Sequence, residues 1–103
     1  MTDKVGTLLG FAAKSGSLCY GFEKSIAAVS RGLAKGVFFA TDISAKSRKE
    51  ILFHCDRLNI AAYELKDTSM DELSQAVGNR CAVIALTSES FLRPIVSYLT
   101  PDV

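Results

Sequence analysis

The chain has 103 residues, 49% apolar and 22% charged, with a formal net charge of +1. That length suits one domain whose core needs no covalent staples, and the composition excludes a disordered or low-complexity chain. No apolar run reaches the roughly 18–20 residues of a bilayer span, and Met1-Thr2-Asp3-Lys4-Val5-Gly6 lacks the regions of a secretory leader. The expectation is a cytoplasmic protein folded as a single domain over residues 1–103.

The charge is unevenly spread. Residues 1–50 carry +4 and residues 51–103 carry −3, so the first half is where a polyanionic partner would be sought. Cys19, Cys55 and Cys81 form no CxxC, and their odd count and wide spacing fit reduced thiols rather than a disulfide framework. His54 adjoins Cys55, but successive residues on a helix point in different directions, so the pair makes a poor metal site. No metal and no cofactor are expected.

In chain order, Val5, Leu8, Leu9 and Ala12 form one helical stripe entered after a cap at Thr2 or Asp3 and stopped at Gly16. Leu18–Tyr20 is a short strand. Phe22, Ile26, Val29 and Leu33 mark a second helix closed by Gly32 or Gly36. The apolar run Val37–Ala40 is a buried strand. Ser44 caps a third helix with Ile51, Leu52, Cys55 and Leu58 facing inward, and Ile60–Leu65 is the next strand. Ser69-Met70-Asp71-Glu72 matches a capping box. It opens a helix with Met70, Leu73 and Ala76 inward, ended by Gly78. Cys81–Leu86 is the most apolar strand. A last helix, capped by Thr87 or Ser88, carries Phe91, Leu92, Ile95 and Leu99; Pro94 should kink it or delay its start, and Pro101 bars its continuation. Apolar strands alternating with helices predict an α/β fold, a three-layer α/β/α sandwich.

Few residues suggest catalysis. Gly16-Ser17-Leu18-Cys19-Tyr20-Gly21 followed by Lys24-Ser25 approximates a phosphate-binding loop, but Phe22 and Glu23 separate the lysine from the second glycine. The lysine must follow that glycine directly to meet the phosphates, so a turn with two permissive glycines is the better account. Asp42 follows a strand, as a phosphate-accepting aspartate would, yet no earlier acidic pair is available to hold Mg²⁺. A helix-entry or turn-stabilising role suits it better. Cys55 and Cys81 suit core packing. The basic residues are more informative: Lys14, Lys24, Arg31, Lys35, Lys46, Arg48 and Lys49 crowd residues 14–49 against Glu23 and Asp42. Lys24 falls in the first turn of a helix, where free N–H groups and the dipole favour phosphate.

The order of these pieces resembles the ribosomal-protein superfamily that binds kink-turn RNA, and within it the small bacterial YlxQ-like RNA-binding proteins. The resemblance is carried by Leu8-Leu9-Gly10-Phe11-Ala12-Ala13-Lys14-Ser15-Gly16, Gly21, Ala28-Val29-Ser30-Arg31-Gly32, and Ala34-Lys35-Gly36-Val37-Phe38-Phe39-Ala40-Thr41-Asp42. Cys55, Glu72-Leu73-Ser74-Gln75-Ala76-Val77-Gly78 and the strand Cys81–Leu86 complete it, over about residues 5–95. It implies an α/β/α sandwich with a small mixed sheet and an RNA site of three neighbouring loops. The kink-turn binders carry Gly-x-Asn-Glu at the start of the second helix, with a lysine three residues after the Glu. Here the stretch reads Gly21-Phe22-Glu23-Lys24, with Ala27 at the lysine position. Lysine only donates, so it cannot accept from a guanine edge as a carboxylate does. The second loop implies Ser44 and Arg48, and the third, Asn79-Arg80-Cys81, is shorter than in kink-turn binders.

The resemblance therefore implies a non-catalytic ribonucleoprotein component acting in translation. It would bind structured, ribosomal RNA through Gly21, Phe22, Glu23, Lys24, Ser44, Arg48, Asn79 and Arg80. Lys14, Lys35, Lys46 and Lys49 would add phosphate contacts if they face the same end. A protein–protein module of the same fold, suited to ribosome-associated proteins, stays open. It would use the acidic Asp67, Asp71 and Glu72, or a dimer through Phe91–Leu99. An enzyme acting on a phosphorylated ligand at residues 16–25 is the third alternative.

Overall fold

Side-chain caps fix where the helices begin. In the computed structural model, which describes residues 1–99, Thr2 accepts from the Val5 N–H and opens α1 (Asp3–Lys14). Strand β1 (Leu18–Tyr20) and helix α2 (Phe22–Ser30) follow, then β2 (Gly36–Ala40) and α3 (Ala45–Arg57). Strand β3 (Ala62–Leu65) leads to α4 (Met70–Val77), β4 (Val83–Leu86) and α5 (Glu89–Leu99). Ser44 caps α3, and Ser69 and Glu72 form the reciprocal capping box of α4. Gly78 ends α4 in the left-handed region at φ 77°, which glycine occupies without penalty.

The sheet is mixed, in the order β1-β4-β2-β3. β4 runs antiparallel to both β1 and β2, whereas β2 and β3 are parallel. Side chains on the two central strands alternate between faces, and both faces are apolar. Phe38, Ala40, Ile84 and Leu86 pack with Val5 and Leu9 of α1, Leu73 of α4 and Ile95 of α5. Val37, Phe39, Val83 and Ala85 pack with Ala28 and Val29 of α2 and Ile51 and Cys55 of α3. The result is the expected α/β/α sandwich with a small mixed sheet.

Element boundaries differ from the sequence expectation for identifiable reasons. β3 starts at Ala62, not Ile60, because the Ile60 N–H closes the end of α3 on the Cys55 carbonyl. β4 starts at Val83, not Cys81, because the Ser74 hydroxyl engages both the N–H and the carbonyl of Cys81. Helix α2 closes at Gly32, and Gly36 instead begins β2. A Cβ there would stand 2.8 Å from Leu92 Cδ1, so the glycine lets α5 lie close to the sheet. Leu52 and Leu58, expected inward, are 42% and 49% exposed. Ile51 and Cys55 define the buried line of α3; Leu52 lies a hundred degrees off it, and Leu58 is already the C-cap. On α4 the buried line is Leu73 and Val77, with Met70 and Ala76 only partly covered. Pro94 does not delay α5, which begins at Glu89 and runs through it. Pro101 lies outside the described residues.

The centre of the larger core is Phe38, fully buried and stacked on Tyr63 with ring centroids 5.3 Å apart. Phe38→Ala is expected to destabilise the fold by about 3–5 kcal/mol, read as a lower urea midpoint with an unchanged slope.

Candidate nucleic-acid interface

The strand directions bring three connections to one end of the sheet. β1 and β2 end there and β4 begins there, since Tyr20 pairs with Ile84 and Phe39 with Val83. The segments 20–24, 41–44 and 79–82 therefore meet. The Gly21 N–H donates to the Val83 carbonyl at 2.8 Å, and the Ala40 N–H to the Ala82 carbonyl at 2.8 Å. The Asn79 side chain lies on the Tyr20 hydroxyl; burial pushes the Tyr20 phenol up, and this contact opposes it.

Three helices start at this end, and their N-termini are not alike. At α4 the capping box is joined by Asp42, whose Oδ1 accepts from the Met70 N–H at 2.9 Å. Asp42 thus stabilises a helix entry, but of a helix 28 residues away in sequence. At α3 the Ser44 hydroxyl accepts from the Ser47 N–H at 3.1 Å. At α2 the N-cap is Gly21, with φ 91° and no side-chain cap. The first-turn N–H groups of α2 have no side-chain acceptor, and Glu23 and Lys24 beside them are exposed. Unpaired N–H groups, the positive end of the dipole and a lysine together suit an anion. Phe22 turns the other way and lines a groove of about 210 Å³ with Ile43, Ser44, Ser47, Ile51 and Met70.

The structure does not unite all the candidate residues. Gly21, Phe22, Glu23, Lys24, Ser44, Asn79 and Arg80 share this end. Lys14 and Lys35 do not. Lys14 ends α1, whose Ser15–Ser17 exit meets Thr87, and the Lys35 N–H donates to the Leu86 carbonyl, at the far end of β4. The condition that they face the same end is unmet, because an antiparallel β4 separates them from Lys24 by the length of the sheet.

Two cations are already committed to acids. Arg48 Nη2 pairs with Glu64 Oε1 at 2.8 Å, and its guanidinium lies 5.2 Å from the Phe39 ring centroid. It leans over β2 and β3 rather than reaching out from the loop. Arg80 Nη1 pairs with Asp71 Oδ1 at 2.6 Å, but both side chains remain largely exposed. Such a pair exchanges readily with solvent or a ligand phosphate. Lys46 and Lys49 are exposed, with no ion-pair partner among the described residues. Sequence alone did not show that Asn79 neighbours Tyr20, or that Asp42 joins the second loop to α4; both span distant segments.

Burial pushes the Cys55 and Cys81 thiols up, away from thiolate chemistry. Among the described residues no group of three or more His, Cys, Asp or Glu stands together as a metal site. No described helix is long and apolar enough to cross a membrane.

The Arg48 and Thr41 hydrogen bonds hold the Glu64 carboxyl below its ordinary range. A depressed carboxylate contributes stability above its unfolded pKa and loses it as pH falls through the folded one. Glu64→Gln is therefore expected to cost up to about 1 kcal/mol at neutral pH, since the pair is part-exposed. The gap to wild type should close in acid, read by thermal unfolding at pH 7 and pH 3.

Residues 3–92 match the ribosomal protein L7Ae/L30e/S12e/Gadd45 family. The chain is 29% identical over 91 residues to the RNA-binding protein YlxQ of Enterococcus faecium, covering 88% of this chain and 86% of that one. Its structure superimposes on a protein of unknown function from Bacillus halodurans with a TM-score of 0.89 at 25% identity, over 95% and 98% of the two chains. The Giardia lamblia 15.5kD RNA binding protein shares the fold, with a TM-score of 0.77 at 15% identity over 93% and 82%.

Proposed function

The chain belongs to the ribosomal protein L7Ae/L30e/S12e/Gadd45 family, and from that premise we propose that it is a non-catalytic RNA-binding protein. It recognises structured, kink-turn-like RNA of the ribosomal type through the loops at the β4 entry. The observation that carries this is the α2 N-terminus. It alone of the three helix starts lacks a side-chain cap, and it sits where the loops meet, with Lys24 exposed beside it. The names of two similar proteins, both described as RNA-binding, support the same conclusion.

Phosphates bind the free N–H groups of Phe22, Glu23 and Lys24 and the Lys24 ammonium, which position the RNA without reading sequence. Base edges meet Glu23 and Asn79. Glu23 supplies a carboxylate acceptor to a guanine edge, one position before the acid of the kink-turn binders. Arg80 leaves Asp71 for a phosphate or stacks on an unpaired base. The Phe22–Met70 groove, mostly apolar, accommodates a base turned out of its stack. Lys46 adds charge from the first turn of α3.

The test is a titration at two salt concentrations of a kink-turn RNA, a plain duplex and a bulged loop of equal length. The kink-turn RNA is expected to bind most tightly. Lys24→Glu should weaken all three and lower the salt slope by about 1 or more, while Lys14→Glu, at the opposite end, should leave affinity near wild type. Equal effects of the two reversals would remove the loops from the interface. Failure of all three RNAs to bind at low salt would overturn RNA recognition in favour of a protein partner.

A further inference from the structure

Beyond Lys46 in its first turn, helix α3 carries a surface that neither the fold nor the loops use. Its buried line is Ile51 and Cys55. At 100° per residue, Lys46, Lys49, Phe53 and Arg57 fall on the opposite side. All four are exposed, and Phe53 at 58% is the most exposed large apolar side chain among the described residues. The ring is not loose. The Arg57 guanidinium lies 5.7 Å from its centroid, and His54 meets it edge-on at 5.5 Å. An aromatic ring held in water by a cation, with two lysines toward the helix start, is a stacking platform set in a basic stripe. Glu50 and Asp56 lie to its two sides.

The stripe is continuous with the loop end. Lys46 stands in the first turn of α3, two residues after the Ser44 cap, and Arg57 lies about 16 Å further at 1.5 Å per residue. The charge around the loops gives a direction. On the α4 side stand Asp67, Asp71 and Glu72, with Asp42 at the helix entry. On the α3 side stand Lys46 and Lys49. A polyanion seated at Lys24 is repelled along α4 and drawn along α3.

We infer that α3 is a second RNA-contact surface, on which a single-stranded flank of the structured RNA runs from the loops toward Arg57. Lys46, Lys49 and Arg57 bind its phosphates, and Phe53 stacks on one of its bases. The occupant is nucleic acid because cations and one rigid aromatic interleave, matching alternating phosphates and bases. An apolar peptide face would need a broader greasy strip, whereas Leu52 and Leu58, also exposed, lie about 100° or more around α3 from Phe53. This rests on the RNA-binding function proposed above and adds single-stranded flanks to its substrate class.

The experiment uses the full chain and one kink-turn hairpin, made bare and with an eight-nucleotide single-stranded flank at either end. Wild type is expected to bind one flanked form at least about fivefold more tightly, the scale of one base–aromatic stack. Phe53→Ala should abolish that gain and leave the bare hairpin unaffected. Lys49→Gln should lower the salt slope by about 1 for the flanked RNA alone, and Leu52→Ala should change neither. Wild type binding bare and flanked hairpins equally would overturn the α3 surface and leave the loop interface standing. Failure to bind the bare hairpin would refute the loop interface itself. A polyglutamate peptide supplies anionic charge without bases. If it binds with the same dependence on Phe53, base stacking is wrong and an acidic protein is the partner.

Discussion

The antiparallel pairing of β2 with β4 is the constraint on which the rest depends. These strands are the centre of the sheet and are buried on both faces, so every residue from Val37 to Ala40 and from Val83 to Leu86 is committed to a core. A slip of one residue would exchange Phe38 and Ile84 with Phe39 and Val83 between two helical layers of different shape. The fixed register sets Ala40 against Ala82, and hence the exit toward Asp42 against the arrival from Asn79. Adding β1 to the other edge of β4 brings Gly21 to the same place. The loop cluster is therefore a product of core packing, and its residues are placed without having to pack well themselves.

That placement is reinforced by contacts between the loops. Gly21 bonds to Val83, Asn79 lies on Tyr20, and Asp42 caps the helix that leads to Asn79. Each contact joins segments far apart in sequence. A surface tied in this way loses little freedom when a ligand arrives, which favours affinity without a large buried area. The untied elements are the ones suited to respond: the exposed Arg80–Asp71 pair and the bare first turn of α2.

Most of the architecture was legible in the sequence because local chemistry and global fold agree. The caps at Thr2, Ser44 and Ser69 open the helices they announce, and the apolar runs become the buried strands. What was not legible depends on partners distant in the chain. Arg48 reads as a free cation in a basic stretch, but Glu64 and Phe39 come to it only after β2 and β3 pair. Lys14 and Lys35 read as neighbours of Lys24 by number, and strand direction alone carries them to the other end. Leu52 and Leu58 read as core because they are apolar, though only Ile51 and Cys55 keep the four-residue spacing that α3 buries. Phe53 entered none of the sequence readings. Its position opposite that buried line is a pattern a sequence can show, once the line itself is fixed.

The sheet order has a consequence for how the chain is made. The strand that joins β1 to β2 is β4, the last of the four in sequence. Until Val83–Leu86 emerges from the ribosome, β1 has no partner and β2 has only β3, and the apolar faces of α1 and α2 have half a floor. Pairings of such long sequence separation are slow to form, because loop closure must precede them. The loop cluster therefore cannot assemble until Val83–Leu86 is available to pair with both β1 and β2.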